Sequence, residues 1–207
     1  MERFHYMKTL IIVDVQNDFL PGGALAVPLG DQVIPVINRI QDHFGLVVAT
    51  QDWHPVRHGS FASSHPGKQP FDKTDLFGLE QVLWPDHCIQ ATPGADLSTL
   101  LHSRRIEAIF RKGTDPAIDS YSGFYDNGHQ KSTGLAGYLR DKGTTELFIS
   151  GLAGDYCVYY TARDAIQEGF QVTILEDACR PIDAENYQLL KQDIHQLGGM
   201  VQGSDTL

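Results

Sequence analysis

An α/β fold built on a parallel sheet is predicted by three observations. Short β-branched apolar runs of strand length recur along the chain, helical apolar patterns lie between them, and the first run is apolar throughout, as suits a strand buried on both faces. That first run is Lys8 to Val13 (KTLIIV). From Asp31 to Phe44, Val33, Ile34, Val36, Ile37, Ile40 and Phe44 recur at helical spacing, with Asp31 as the expected N-cap and Gly45 just beyond the end. Pro35 is tolerated because it falls near the first turn. Strands then follow at Leu46 to Thr50 (LVVAT), Glu107 to Arg111 (EAIFR), Glu146 to Ser150 (ELFIS) and Gln171 to Leu175 (QVTIL). Helices are expected at Asp155 to Glu168 and Ala184 to Leu197, capped by Asp155 and Asp183. Residues 51–96 break the rhythm: they are rich in Pro, His, Gly and Ser, with only a short turn around Leu76 to Leu83, and such long excursions usually carry function. A shorter excursion covers 113–132. With no repeat or linker, residues 1–207 read as a single domain.

Composition narrows the function. The 207 residues carry 16 Lys plus Arg against 26 Asp plus Glu, a formal charge of −10, with 42% hydrophobic and 20% charged residues. This is a chain able to bury a core, and its acidity argues against nucleic acid as a partner. No apolar run is long enough to cross a membrane. The N-terminal apolar stretch is short and broken by Asp14, so it does not read as a signal peptide, and a cytoplasmic place is expected. Three Cys is a sparse, odd count that fits a reducing compartment and raises the question of a reactive thiol. A homo-oligomer is compatible with all of this.

Asp14 ends the first strand, where open α/β sheets place their ligands. Alternatively, Asp14 and Asp18 cap turns through side chain to backbone hydrogen bonds. Asp52 and His54 are two apart after the second strand, so in extended backbone they face one point; His87 (WPDHC) joins them if the excursion folds back. One carboxylate and two imidazoles, completed by water, suit Zn²⁺, Fe²⁺ or Mn²⁺. A solvated His-rich loop is the plainer reading of the same pattern. Cys157 follows the turn Gly151 to Gly154 at the start of a helix, where the dipole and free N–H groups favour thiolate and an oxyanion hole. A small buried apolar residue is the plainer reading of this Cys too. Lys112, alone, is a strand-end lysine. Together, Asp14, Lys112 and Cys157 end three different strands on one rim and supply a base, a cation and a nucleophile.

The stretches IIVDVQNDFLPGGALAV, ATQDWHPVRHGSFAS, LWPDHCIQATPGAD, FRKGTDPAIDSYSGF and ISGLAGDYCVYYTARDA span nearly the whole chain. In them it resembles the bacterial nicotinamidase (pyrazinamidase) family of isochorismatase-like cysteine hydrolases. The resemblance implies a single three-layer α/β/α domain around a central, mainly parallel six-stranded sheet. It implies a metal-dependent amidohydrolase that converts nicotinamide to nicotinate and ammonia through a cysteine thioester in NAD salvage, with pyrazinamide as a second substrate. Asp14, Lys112 and Cys157 take the triad positions; Asp52, His54 and His87 take the positions of ligands to one divalent metal, without an organic cofactor. Ser60 stands where some relatives have a further His or Glu ligand, to act directly or through water. A cis peptide between Leu152 and Ala153 is implied, with the N–H groups of Ala153 and Cys157 as oxyanion hole. Phe19, Trp84, Tyr121 and Tyr156 match positions that sandwich the pyridine ring, although Tyr156 is often His in relatives. Isochorismatases and N-carbamoyl amidohydrolases keep such a triad without the metal set, and a non-catalytic metal- or ligand-binding module is the reading of another class. His5, His43, His58, His65, His102, His129 and His195 are left as surface or loop residues.

Overall fold

The computed structural model describes residues 7–207; His5 lies outside them. Strand β1 (Met7–Val13) leads through helix α1 (Val33–Ile40) to β2 (Leu46–Asp52), followed by a hairpin of β3 (Lys73–Leu76) and β4 (Leu79–Val82). Then come β5 (Ile106–Lys112), α2 (Leu135–Asp141), β6 (Thr144–Leu152), α3 (Tyr159–Gln167), β7 (Gln171–Arg180), α4 (Ala184–Gln196) and β8 (Met200–Gln202). Six strands form one sheet in the order β5-β2-β1-β6-β7-β8, and all of its pairings are parallel. The sheet therefore grows one way from β1 to β5 and then restarts on the other side of β1 with β6. Between those two strands the sequence order reverses, and a crevice opens at their carboxyl ends.

Right-handed crossovers put helices on opposite faces before and after such a reversal. Along β1 the side chains alternate accordingly. Leu10 and Ile12 pack with Val33, Ile34, Ile37 and Ile40 of α1 on one face. Ile11 and Val13 pack with Leu135 and Leu139 of α2, Ala162 and Ala165 of α3 and Ile194 of α4 on the other. All four β1 residues are fully buried, each such side chain contributing roughly 1.5–3 kcal/mol. The three-layer architecture follows.

Several local expectations are corrected. Helix α1 is shorter than 31–44 and has no side-chain cap: Asp31 lies in a 3₁₀ turn, Gly30–Gln32, that precedes it. Pro35 has no N–H to return to the Asp31 carbonyl, so the α ladder starts late. Asp155 does not cap its own helix either. Its carboxylate accepts the N–H groups of Ile182 and Asp183, both at 2.8 Å, and the chain after β6 winds as a π turn, Gly154–Val158, before α3. Asp183 does cap α4, accepting from the Glu185 and Asn186 N–H groups. The cis peptide Leu152–Ala153 is present.

Candidate active site

The rim residues meet on one ammonium. Lys112 Nζ, at the end of β5, lies 2.9 Å from Asp14 Oδ2 and 3.1 Å from Asp52 Oδ1, and it donates to the Ser120 carbonyl at 3.0 Å and to Cys157 Sγ at 3.4 Å. The Asp14 and Lys112 side chains are wholly buried, and that of Asp52 nearly so. Asp14 stands just past β1 at φ 47°, a backbone region that Asp tolerates better than most residues. Thr50 fixes it twice, donating its hydroxyl to Oδ1 at 2.6 Å and accepting the Asp14 N–H at 3.2 Å. Gly151, at φ 116°, lets β6 close onto β1: a Cβ there would stand 2.0 Å from the Val13 carbonyl oxygen. That contact brings the Cys157 turn against Asp14.

Electrostatics refine the expected roles. Burial pushes the Cys157 thiol well above its ordinary value, and the nearby Asp14 and Asp52 carboxylates add to that against the opposing pull of Lys112. Burial and the two carboxylates thus work against the thiolate that the helix start and Lys112 favour. Burial likewise raises Asp14, with Lys112 pulling the other way. Burial alone would lower Lys112, but Asp14 and Asp52 outweigh it and hold the ammonium well above its usual value. For Asp52 burial is outweighed by His54 and Lys112, which hold the carboxyl well below its usual value. Burial therefore raises both Asp14 and Cys157, and the Lys112 ammonium between them opposes the rise at each.

On the other side of Lys112, Asp52 Oδ2 lies 3.0 Å from His54 Nε2 and 3.4 Å from His87 Nε2. The opposite nitrogens are anchored: His54 Nδ1 to the Gly113 carbonyl at 3.0 Å and His87 Nδ1 to the Pro85 carbonyl at 2.8 Å. Donation from Nδ1 leaves each Nε2 turned toward the same carboxylate oxygen, the orientation that imidazole ligands to a metal need. Gly113, at φ 65°, makes room, since a Cβ would come within 2.5 Å of the His54 ring. The three donor atoms lie within 4.8 Å of one another, and two buried carboxylates share the one Lys112 ammonium. The set fits one divalent cation, in donor chemistry and in charge.

His58, expected at the surface or in a loop, does lie in a loop, but it is fully buried there. Its Nε2 donates to the Asp115 carbonyl at 2.7 Å, and its Nδ1 accepts the Ser60 N–H at 3.1 Å and meets Ser60 Oγ at 2.8 Å. Both nitrogens are thus engaged, and the buried Ser60 hydroxyl is directed at His58. Asp18 caps no local turn: its carboxylate ties two loops together, accepting the Cys88 N–H at 2.7 Å and the Ala24 N–H at 3.3 Å.

Phe19, Trp84, Tyr121 and Tyr156 line one narrow pocket with Ala153, Cys157, Asp52 and His87. Its aromatic rings meet edge to face, Trp84 and Tyr156 at 4.8 Å and Tyr121 and Tyr156 at 5.4 Å. Burial pushes the Tyr156 hydroxyl up to about 12, so the pocket wall is neutral there. Missed by the sequence reading were Thr50, Gln16, which brackets the Asp52 backbone with two hydrogen bonds, and Asp119, which also lines the pocket. Asp119 stands in the quoted stretch FRKGTDPAIDSYSGF, which was the one available signal.

The chain matches the Isochorismatase domain model over residues 8–206. It is 49% identical to a nicotinamidase of Escherichia coli over 182 residues, covering 86% of this chain and 85% of that one. Its fold superposes on a nicotinamidase/pyrazinamidase structure from Acinetobacter baumannii with a TM-score of 0.93 and 46% identity, covering 97% and 98% of the two chains. The zinc complex of pyrazinamidase from Pyrococcus horikoshii is 36% identical at a TM-score of 0.78, covering 95% and 99%. The chain belongs to the isochorismatase domain family.

Proposed function

We propose that this chain is the amidohydrolase that converts nicotinamide to nicotinate and ammonia, with pyrazinamide as a second substrate. The carrying observation is the shared Lys112 ammonium, which ties the nucleophile and base to Asp52, one of three metal donors, within 3.4 Å. A neutral pyridine amide suits the aromatic pocket between them, and the relatives bear this activity in their names. In the reaction Asp14 takes the Cys157 proton as sulfur adds to the carboxamide carbon, and the N–H groups of Ala153 and Cys157 hold the oxyanion. Asp14 returns the proton to the departing nitrogen, ammonia leaves, and a thioester remains. Asp14 then takes a proton from the water that adds to the thioester, the C–S bond breaks to release the acid, and the proton returns to the Cys157 sulfur. Splitting the step through sulfur makes a poor electrophile tractable.

Asp52, His54 and His87 would hold one divalent metal, Zn, Fe or Mn, with Ser60 as a further donor, directly or through water. When bound, the ion supplies a Lewis-acid anchor for the ring nitrogen. Phe19, Trp84, Tyr121 and Tyr156 clamp the ring and so fix the amide at sulfur. Residues 1–207 act as one unit, and the 51–96 excursion brings the metal donors. Among the described residues no helix is long and apolar enough to cross a membrane, and three free, buried cysteines suit a reducing cytoplasm. The test is ammonia release from nicotinamide, pyrazinamide, isochorismate and N-carbamoyl compounds, with metal content measured on the same sample. Nicotinamide should be the preferred substrate of metal-loaded protein, and Cys157→Ala should lower turnover by at least about 10⁴-fold with the fold intact. Preference for a carbamoyl compound, or near-normal turnover without Cys157, would overturn the reading.

A further inference from the structure

A third carboxylate stands beside the metal donors and has no part in the chemistry above. Asp119 is 2% exposed and lines the same pocket as Asp52, His87 and Cys157. Its Oδ1 accepts the Ser120 N–H at 2.8 Å and its Oδ2 accepts Gln81 Nε2 at 3.1 Å. Each oxygen thus accepts one hydrogen bond and keeps a further lone pair. One of those oxygens lies within 4.8 Å of ring nitrogens of both His54 and His58.

Asp119 is not placed to be a ligand itself. Asp52, His54 and His87 form one converging donor set and His54, His58 and Asp119 another, and the two share only His54. His58 has no lone pair to offer, since one nitrogen donates to Asp115 and the other accepts from Ser60. The second set is therefore no second metal site. It is an anionic wall one layer outside the first. Asp14, Asp52 and Asp119 bring three buried carboxyl groups to this rim against the one buried ammonium of Lys112, an excess of acidic groups that a divalent ion would offset. Buried charge left uncompensated is costly, so the wall adds to the demand for a dication.

We propose that Asp119 is an outer-sphere positioning residue of the metal centre, which accepts hydrogen bonds from the water ligands of the divalent ion and raises the site's affinity for it. The proposal rests on the reading of Asp52, His54 and His87 as metal donors. Carboxylates in this relation to a bound ion fix the water ligands and compensate charge, and removing them typically weakens binding about 10- to 100-fold.

The test is the Zn²⁺ dissociation constant of the full-length protein, read by competition with a chromophoric chelator, for wild type, Asp119→Asn and Gln81→Leu. Asn is nearly isosteric and keeps an acceptor for the Ser120 N–H, so melting of the metal-free protein should change little. Gln81→Leu removes the same Gln81–Asp119 hydrogen bond but keeps the charge. The expected result is a dissociation constant about 10- to 100-fold larger for Asp119→Asn and one close to wild type for Gln81→Leu. Equal weakening by both variants would reduce Asp119 to a structural loop contact and overturn the proposal, as would unchanged binding in Asp119→Asn. Should Asp119→Asn not fold, Asp119→Ser is read by the same criteria. Wild-type protein that binds no Zn²⁺ would overturn the donor reading and this proposal with it, and that outcome is distinct from wild type and Asp119→Asn binding alike.

Discussion

Two buried aspartates, Asp14 at the rim and Asp164 on α3, are almost equally hidden from water yet are held in different ways. Asp14 is wholly buried, and its partners come from two other strands: the Thr50 hydroxyl from β2 at 2.6 Å and the Lys112 ammonium from β5 at 2.9 Å, itself fully buried. Asp164, 1% exposed, has His129 Nε2 at 3.4 Å and Arg163 Nε at 3.7 Å. Those partners are 40% and 31% exposed, and neither Asp164 oxygen accepts a hydrogen bond among the described residues. The first carboxylate is fixed by the sheet and its cation cannot be screened. The second leans on side chains that water reaches. Burial alone does not make a group chemical; burial with partners on rigid, separate elements does.

The contrast breaks most sharply at the cation. Lys112→Met should abolish nicotinamide hydrolysis and cost about 3–5 kcal/mol of folding stability, because Asp14 and Asp52 lose their common counter-charge while remaining buried. Urea unfolding of the metal-free variant beside wild type measures it. A loss under about 1 kcal/mol would mean that water already reaches the rim, and the difference from Asp164 would disappear.

A smaller effect concerns pH. Asp14 must be unprotonated to accept the thiol proton, and burial raises its pKa against the pull of Lys112. Activity should therefore fall, as pH drops, at a pH above the usual aspartate value of 3.8. His54 must be kept apart from this limb. Burial alone would lower its pKa, but Asp52 outweighs that and raises it, so protons compete with metal for the same nitrogen. The profile of kcat/KM, taken with bound metal followed at each pH, separates the two; an acid limb at or below 3.8 with metal retained would remove Asp14 as the base.

Much of this rim was legible because a strand announces its own end: KTLIIV stops at Asp14 and EAIFR runs into Lys112. Asp52 and His54 were legible through the period of two, and β2 does extend to Asp52. What was hidden depends on loops meeting. Thr50 inside an apolar run, Asp119 in the second excursion and His58 in the first carry no local mark, since each is tied to a partner 36 to 57 residues away, Asp14, Gln81 and Asp115 respectively. Strand β8 is three residues long, too short for any pattern. The β3–β4 hairpin turns on Phe77 and Gly78 at φ 58° and 79°, a two-residue turn whose usual Asn-Gly or Asp-Gly mark is missing. The rise of the Cys157 thiol was hidden for a related reason: a helix start is visible in sequence, but the desolvation and the neighbouring carboxylates that raise the thiol belong to the assembled rim.

The smallest effect tests the other half of the comparison. Asp164→Asn removes a charge whose two ion-pair partners are partly exposed, and such pairs contribute about 0–1 kcal/mol each. Against that small loss stands relief of the cost of keeping a carboxylate buried without hydrogen bonds. The two oppose each other, so stability should change by no more than about 1 kcal/mol in either direction. Added salt should shrink the difference between variant and wild type, because partly exposed partners are screened as the buried Lys112 is not. Nicotinamide turnover should stay near wild type, although Tyr121 lines both the Asp164 cavity and the ring pocket, since Asp164 makes no hydrogen bond that fixes Tyr121. A turnover loss of tenfold or more would show that this cavity is coupled through Tyr121 to the reacting amide, and the second aspartate would then belong with the first.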